Sequence, residues 1–113
     1  MRCAAAISIF LLTPKKVENH LGTNYIGPFL LINLLVSQLE AAGDAWIVNA
    51  SSAMYQLGSV RFDDYNFSDG KTYNAWEAYA QSKTAIILFA VTLDKKLKRK
   101  GIKFFLLHPS QSY

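Results

Sequence analysis

At 113 residues the chain has room for one small domain. It is 51% apolar and 18% charged, which excludes a disordered tail and a fibrous chain. The net charge of +4 is modest, and a single cysteine, Cys3, excludes an internal disulfide.

The first segment, Met1-Arg2 followed by an apolar run from Cys3 to Leu12, has the outline of a signal peptide. It is too short to span a bilayer, and Pro14-Lys15-Lys16 is not a small-residue cleavage site. A strand is the competing account. Residues 17–42 read as a helix rich in Leu, Ile and Phe and ended by Gly43. Its apolar residues run almost all round, which predicts burial on more than one side. Pro28 inside it cannot donate to the carbonyl four residues back, that of Asn24, which must then find another donor such as water. A simple kink that lets the helix follow the core is the other account.

Residues 45–50 read as a short buried strand. A long polar loop is expected over 53–73, and loops of that length are usually functional or mobile. Asn74 with Glu77 marks a helix start, Glu77 standing three residues after the cap. That helix runs to about Lys100, with Ile86, Ala90, Leu93 and Leu97 along one stripe. It ends in Lys95-Lys96-Leu97-Lys98-Arg99-Lys100, cations that complement the carbonyl end of the helix dipole, and Gly101 follows as a left-handed cap. This accounts for the basic run better than nucleic-acid binding does. Residues 102–107 read as a second buried strand. The order helix, strand, helix, strand makes one right-handed parallel crossover with a helix before it. Two parallel strands need neighbours and cover on both faces. Alone, such a chain should expose strand edges and apolar helix faces, or associate.

The chemistry-bearing residues sit near Tyr79-Ala80-Gln81-Ser82-Lys83 and Ser51-Ser52. On a helix, positions four apart share a face, so the phenol of Tyr79 and the ammonium of Lys83 point the same way. A phenol titrates near pH 10, and a close cation favours the phenolate. Bringing it to neutrality takes about 4 kcal/mol of differential interaction. A nearby serine hydroxyl could hold a substrate oxygen while the phenol moves its proton. By spacing alone, the pair also reads as a packed ring beside a solvated amine.

Five stretches occur together in order: Gly22-Thr23-Asn24-Tyr25-Ile26-Gly27-Pro28-Phe29-Leu30-Leu31, Ile47-Val48-Asn49-Ala50-Ser51-Ser52, Phe62-Asp63-Asp64, Tyr79-Ala80-Gln81-Ser82-Lys83-Thr84-Ala85 and Leu107-His108-Pro109. In this combination the chain resembles the short-chain dehydrogenase/reductase family, nearest its retinol-dehydrogenase and WW-domain-oxidoreductase-like branch. The resemblance implies an α/β fold, part of a doubly wound, Rossmann-like parallel sheet. No glycine-rich turn for a cofactor pyrophosphate can be read among the six scattered glycines. The resemblance therefore implies that residues 17–113 are the catalytic half of such a domain, without its N-terminal cofactor-binding half, and that residues 1–16 lie outside the family pattern.

The resemblance implies an NAD(P)-dependent oxidoreductase that interconverts an alcohol and a carbonyl. Tyr79 would be the proton donor or acceptor. Lys83 would support it and bind the nicotinamide ribose. Ser52 would hydrogen-bond the substrate oxygen, with Ser51 as the runner-up. Asn24 would help hold a water that contacts Lys83. Tyr79, Lys83 and Pro109 would meet the cofactor, NADP(H) rather than NAD(H). The substrates implied are small lipophilic alcohols, aldehydes or ketones. Pairing of two copies through helices 17–42 and 74–100 is implied as well. No transmembrane span is expected; the resemblance is silent on compartment, for which cytoplasmic or membrane-peripheral is a guess. Ser110 stands where the family usually has glycine, and Tyr113 is the last residue, so the alternative is a truncated, inactive chain that acts by associating with a full-length relative.

Other constellations are weaker. His20 or His108 with Ser52 and Asp63 or Asp64 could be drawn as a hydrolase triad, but no Gly-x-Ser-x-Gly elbow surrounds either serine. One cysteine, two histidines and scattered acids show no metal-ligand spacing, and no metal is expected. Trp76, Tyr73 and Tyr55 could line a substrate mouth or pack the long loop.

Overall fold

The computed structural model describes residues 9–52, 56 and 58–107. Their order is α1 (Asn19–Leu21), a π-helical turn (Gly22–Ile26), α2 (Gly27–Ala42), β1 (Ala45–Ala50), α3 (Ala75–Leu97), a 3-10 turn (Lys98–Lys100) and β2 (Ile102–Leu107). β1 and β2 pair in parallel, Ala45 opposite Ile102 through Ala50 opposite Leu107. The helix-strand-helix-strand order expected from the apolar runs is the one observed.

Each boundary has a local cause. The Asn74 side chain accepts from the backbone N–H groups of Trp76 at 3.0 Å and Glu77 at 3.2 Å, and so starts α3. The 3-10 turn ends at Gly101, which is left-handed at φ 74°. A Cβ there would lie 2.7 Å from the Gly43 carbonyl oxygen. The two turns that lead into the strands thus touch, and glycine permits it.

The expected helix 17–42 begins at Asn19 and is not uniform. The N–H of Gly27 reaches back five residues to the carbonyl of Gly22, which widens the turn just before Pro28. A proline ring crowds the preceding turn of a regular helix, and a π turn is one way to relieve it. The side chain of Asn24, within this widened turn, reaches α3.

The core is formed by Ile32 of α2, Ala45 and Ile47 of β1, Ile86, Phe89, Leu93 and Leu97 of α3, and Ile102 of β2. Each large member contributes roughly 1.5–3 kcal/mol by leaving water. Among the described residues only one face of the sheet is covered. Trp46, Val48, Phe105 and Leu107 are exposed on the other, where Trp46 and Phe105 lie 5.2 Å apart between ring centroids. On α2, Ile32 alone is buried, while Leu30, Leu31, Leu34 and Leu35 are exposed. Burial of this helix on more than one side is therefore not seen, because the described residues supply cover on one side only. The helix Asn19–Ala42 is long and apolar enough to cross a membrane by length and composition alone, although no span was expected. Core helices of soluble proteins share that property, and here Asn24 and Ile32 bind the helix to α3 and the core.

Over residues 58–73 the loop that follows β1 is held by specific contacts. Phe67, Ser68 and Asp69 all take left-handed backbone angles, followed by Gly70. This turn drives Phe67 into full burial, with Tyr73 at 5.7 Å and the Arg61 guanidinium 4.4 Å from its ring centre. Asn66 ties the turn to the chain's beginning. Its Oδ1 accepts from Glu18 N at 2.7 Å, and its Nδ2 donates to the Lys16 carbonyl at 2.8 Å.

Candidate active site

α3 places Tyr79 and Lys83 one turn apart on the same inward face. The Lys83 Nζ lies 5.5 Å from the centre of the Tyr79 ring. Lys83 is only 5% exposed, and burial pushes its pKa below the ordinary lysine value. Among the described residues no carboxylate pairs with it. A buried ammonium without an acidic partner is costly, and such groups cluster at functional sites.

Asn24 reaches this face from the π turn. Its Nδ2 donates to Ser82 Oγ at 3.0 Å, and Ser82 Oγ donates to the Tyr79 carbonyl at 2.7 Å. Asn24 was expected to act on Lys83 through a water; its direct bond here is to the neighbouring Ser82. Ser82 stands beside Lys83 in sequence and one turn after Tyr79, so the asparagine braces the turn that carries both.

A second group backs Tyr79. The ring of His20 meets the Tyr79 ring edge to face, 6.1 Å between centroids at 88°. His20 and Glu18 are fully buried, with Nδ1 2.7 Å from Glu18 Oε1. Burial alone would raise the Glu18 pKa. The hydrogen bonds from the His20 ring and from the N–H groups of His20 and Leu21, with the charge of His20, outweigh burial and hold Glu18 below the usual carboxylate value.

The serine pair follows β1 at the carboxyl end of the sheet, where open α/β sheets bind their ligands. Ser51 is buried, its N–H donates to the Leu107 carbonyl at 2.7 Å, and its Oγ has no hydrogen-bond partner among the described residues. The Nδ2 of Asn49 is in the same state. Ser52 is half-buried. The difference fits neighbouring extended residues that face opposite ways.

The remaining candidates separate. Pro109, His108 and Tyr55 lie outside the described residues. Trp76 is exposed on α3, and Tyr73 packs between Phe10 at 5.3 Å and Phe67. The partner of His20 is Glu18, whereas Asp64 binds Arg61 at 2.9 Å and the Ser68 N–H at 2.6 Å. Gln81 was not singled out from sequence. Its Oε1 accepts from Arg61 N at 2.8 Å and its Nε2 donates to the Tyr65 carbonyl at 3.2 Å, which ties the loop to α3. Ser82 and Gln81 both lie inside the Tyr79–Lys83 stretch, and their helical spacing was the available signal. Glu18 offered a weaker one, as an acid just before a helix start.

No family model matches the chain. Over 97 residues, 86% of the chain, the sequence is 42% identical to Retinol dehydrogenase 13 of Homo sapiens and 41% identical to Retinol dehydrogenase 12 of Bos taurus. The chain spans 29% and 30% of the lengths of those proteins. Its fold matches the crystal structure of an uncharacterized protein from Mycobacterium paratuberculosis with a TM-score of 0.85 at 31% identity, over 96% of this chain and 40% of that one. A short-chain dehydrogenase from Streptomyces avermitilis shares the fold with a TM-score of 0.65 at 20% identity, over 94% of this chain and 36% of that one. With the parallel crossover and the Tyr79–Lys83 face in place, these likenesses show that the chain belongs to the short-chain dehydrogenase/reductase family, on its retinol-dehydrogenase-like branch.

Proposed function

We propose that this chain carries the proton-transfer face of an oxidoreductase site that interconverts a small lipophilic alcohol with its aldehyde or ketone, using NADP(H) rather than NAD(H). The observation that carries the reading is the buried Lys83 ammonium 5.5 Å from the Tyr79 ring. A positive charge held there stands where proton transfer at a phenol needs one. Tyr79 gives its proton to a carbonyl oxygen in reduction and takes one from the alcohol in oxidation. Ser52, at the carboxyl end of β1, holds that oxygen by a hydrogen bond. Asn24 keeps the Tyr79–Lys83 turn in register through Ser82.

The residues fit the reactive end of a nicotinamide nucleotide. Lys83 offers donors to ribose hydroxyls, and Asn49 Nδ2 and Ser51 Oγ are buried polar atoms with hydrogen-bonding capacity to spare among the described residues. When bound, the nicotinamide supplies or accepts the hydride. The preference for NADP(H) rests on the family likeness.

The test is a titration of the purified chain with NADPH, followed by nucleotide fluorescence. Saturable binding that Lys83→Met weakens supports the reading. No saturable change up to about millimolar nucleotide overturns it for this chain.

A second reading concerns partners. A groove of 410 Å³ lined by Tyr25, Phe29, Val60, Phe62, Leu88 and Phe89 opens between the helices, and the exposed leucines of α2 flank it. These faces support pairing of two copies through helices 17–42 and 74–100, or pairing of a chain without turnover with a longer relative. Sedimentation of the purified chain separates a monomer from a dimer.

A further inference from the structure

We propose that Glu18 and His20 are a positioning pair for Tyr79, one that fixes its ring and couples the protonation of His20 to the charge tolerated at its hydroxyl. The inference rests on the reading of Tyr79 as the proton-transfer group.

Burying two ionisable side chains is costly, and well-packed apolar residues fill such space at least as well. Glu18 and His20 are nonetheless both fully buried. Glu18 is held in place by three donors. His20 N reaches its Oε1 at 2.9 Å, the His20 ring reaches the same oxygen at 2.7 Å, and Leu21 N reaches Oε2 at 2.9 Å. An acceptor so surrounded is ionised, and the hydrogen of His20 therefore sits on Nδ1. That fixes the plane of the imidazole, which in turn abuts the Tyr79 ring at 88°.

Among the described residues, groups that face His20 come from three parts of the fold. Glu18 precedes α1, Tyr73 brings its hydroxyl to 3.4 Å of Nδ1 from the loop, and Tyr79 presents its ring from α3 with Lys83 beyond it. When His20 is protonated, the pair is neutral overall and its positive member lies next to Tyr79. When His20 loses a proton, one negative charge remains, buried in a medium that screens it poorly. Tyr79 thus has a lysine on one side, Lys83, and on the other a neighbour, His20, whose charge is set within its pair with Glu18.

The test needs no nucleotide, so its outcome is independent of the NADPH titration. The full chain is labelled with carbon-13 and nitrogen-15. The His20 ring and the Tyr79 ring carbons are followed by NMR from about pH 5 to about pH 9, with Tyr79→Phe used for assignment. The expected result is an inflection of the Tyr79 Cζ resonance at the pH where His20 titrates, with no counterpart at Tyr25. In His20→Gln, which keeps a donor for Glu18 but has no titrating ring, the inflection is lost. Glu18→Gln is the second variant. It moves the His20 titration to lower pH, and the Tyr79 inflection must move with it by the same amount. A Tyr79 resonance that stays flat while His20 titrates overturns the proposal. So does a Tyr79 inflection that fails to follow His20 in Glu18→Gln, or a His20 ring that does not titrate in this range.

Discussion

The ammonium of Lys83 stands over the ring of Tyr79, 5.5 Å from its centre, on a face of α3 where Lys83 is buried and Tyr79 half-buried. Helical spacing brings the two together, but burial gives the contact its strength, because a charge in a poorly polarisable surrounding is felt further. Tyr79→Phe keeps the ring, its contact with His20 and the seat of Lys83, and removes only the hydroxyl. Turnover of an alcohol or carbonyl substrate is expected to fall by about 100-fold or more, while NADPH affinity stays within about 2-fold. Parallel steady-state assays and fluorescence titrations check this. Retained turnover would remove Tyr79 from the reacting set.

Lys83→Met trades function for stability. The folded protein depresses the lysine pKa through burial, so the charged form is penalised in the fold relative to the unfolded chain. The unfolded chain binds more protons between the depressed folded value and the ordinary 10.5. Stability of the unmodified chain therefore rises with pH across that window, and Lys83→Met lacks this rise. At neutral pH the variant is expected to melt on the order of 4 °C higher, with nucleotide binding weakened. Thermal unfolding followed by circular dichroism across the alkaline range provides the measurement. A lower melting temperature in the variant would mean that the ammonium is favourably paired after all.

Much of the frame was legible because its signals are local. The apolar runs between Gly43 and Ser51 and after Gly101 coincide with β1 and β2, and Asn74 caps α3 as its side chain suggested. The Tyr79–Lys83 face follows from helical periodicity alone. What escaped depends on contacts between distant residues. The π turn at Gly22–Ile26 answers to Pro28, yet its consequence is a bond from Asn24 to Ser82, 58 positions away. No propensity encodes three successive left-handed residues at Phe67, Ser68 and Asp69. That backbone is held by the burial of Phe67 and by Asn66 gripping the chain near Lys16 and Glu18. His20 read only as a member of a weak hydrolase constellation, because its meaning lies in Glu18 and Tyr79, one beside it and one across the core.

Acid stability should report on Glu18. Its folded pKa lies below the ordinary 4.5, so the unfolded chain takes up protons first as pH falls. The contribution of Glu18 is complete above about pH 4.5 and is lost as pH drops through the folded value. Glu18→Gln removes a charge-assisted acceptor and is expected to cost about 2 kcal/mol at neutral pH. It should also show a shallower further loss below about pH 4.5 than the parent. Urea unfolding at a series of pH values gives both quantities. Parallel pH profiles in parent and variant would show that the carboxylate is not specifically stabilised.

The bond from Asn24 to Ser82 is the remaining joint between the π turn and α3. Both partners are buried, so truncating either one takes this bond from a polar group inside the fold, which costs more than the bond itself contributes. Asn24→Ala and Ser82→Ala are each expected to destabilise the chain by about 1 to 3 kcal/mol. The double variant should cost less than their sum, by about 1 kcal/mol or more. A double-mutant cycle from urea unfolding measures that coupling. The two singles differ in a second respect. Ser82 also donates to the Tyr79 carbonyl at 2.7 Å, so Ser82→Ala loosens the turn between Tyr79 and Lys83 directly, and Asn24→Ala loosens it only through Ser82. NADPH binding is therefore expected to weaken more in Ser82→Ala than in Asn24→Ala. Additive stabilities in the cycle would show that the two side chains act separately, and the π turn would then owe its place to Pro28 alone.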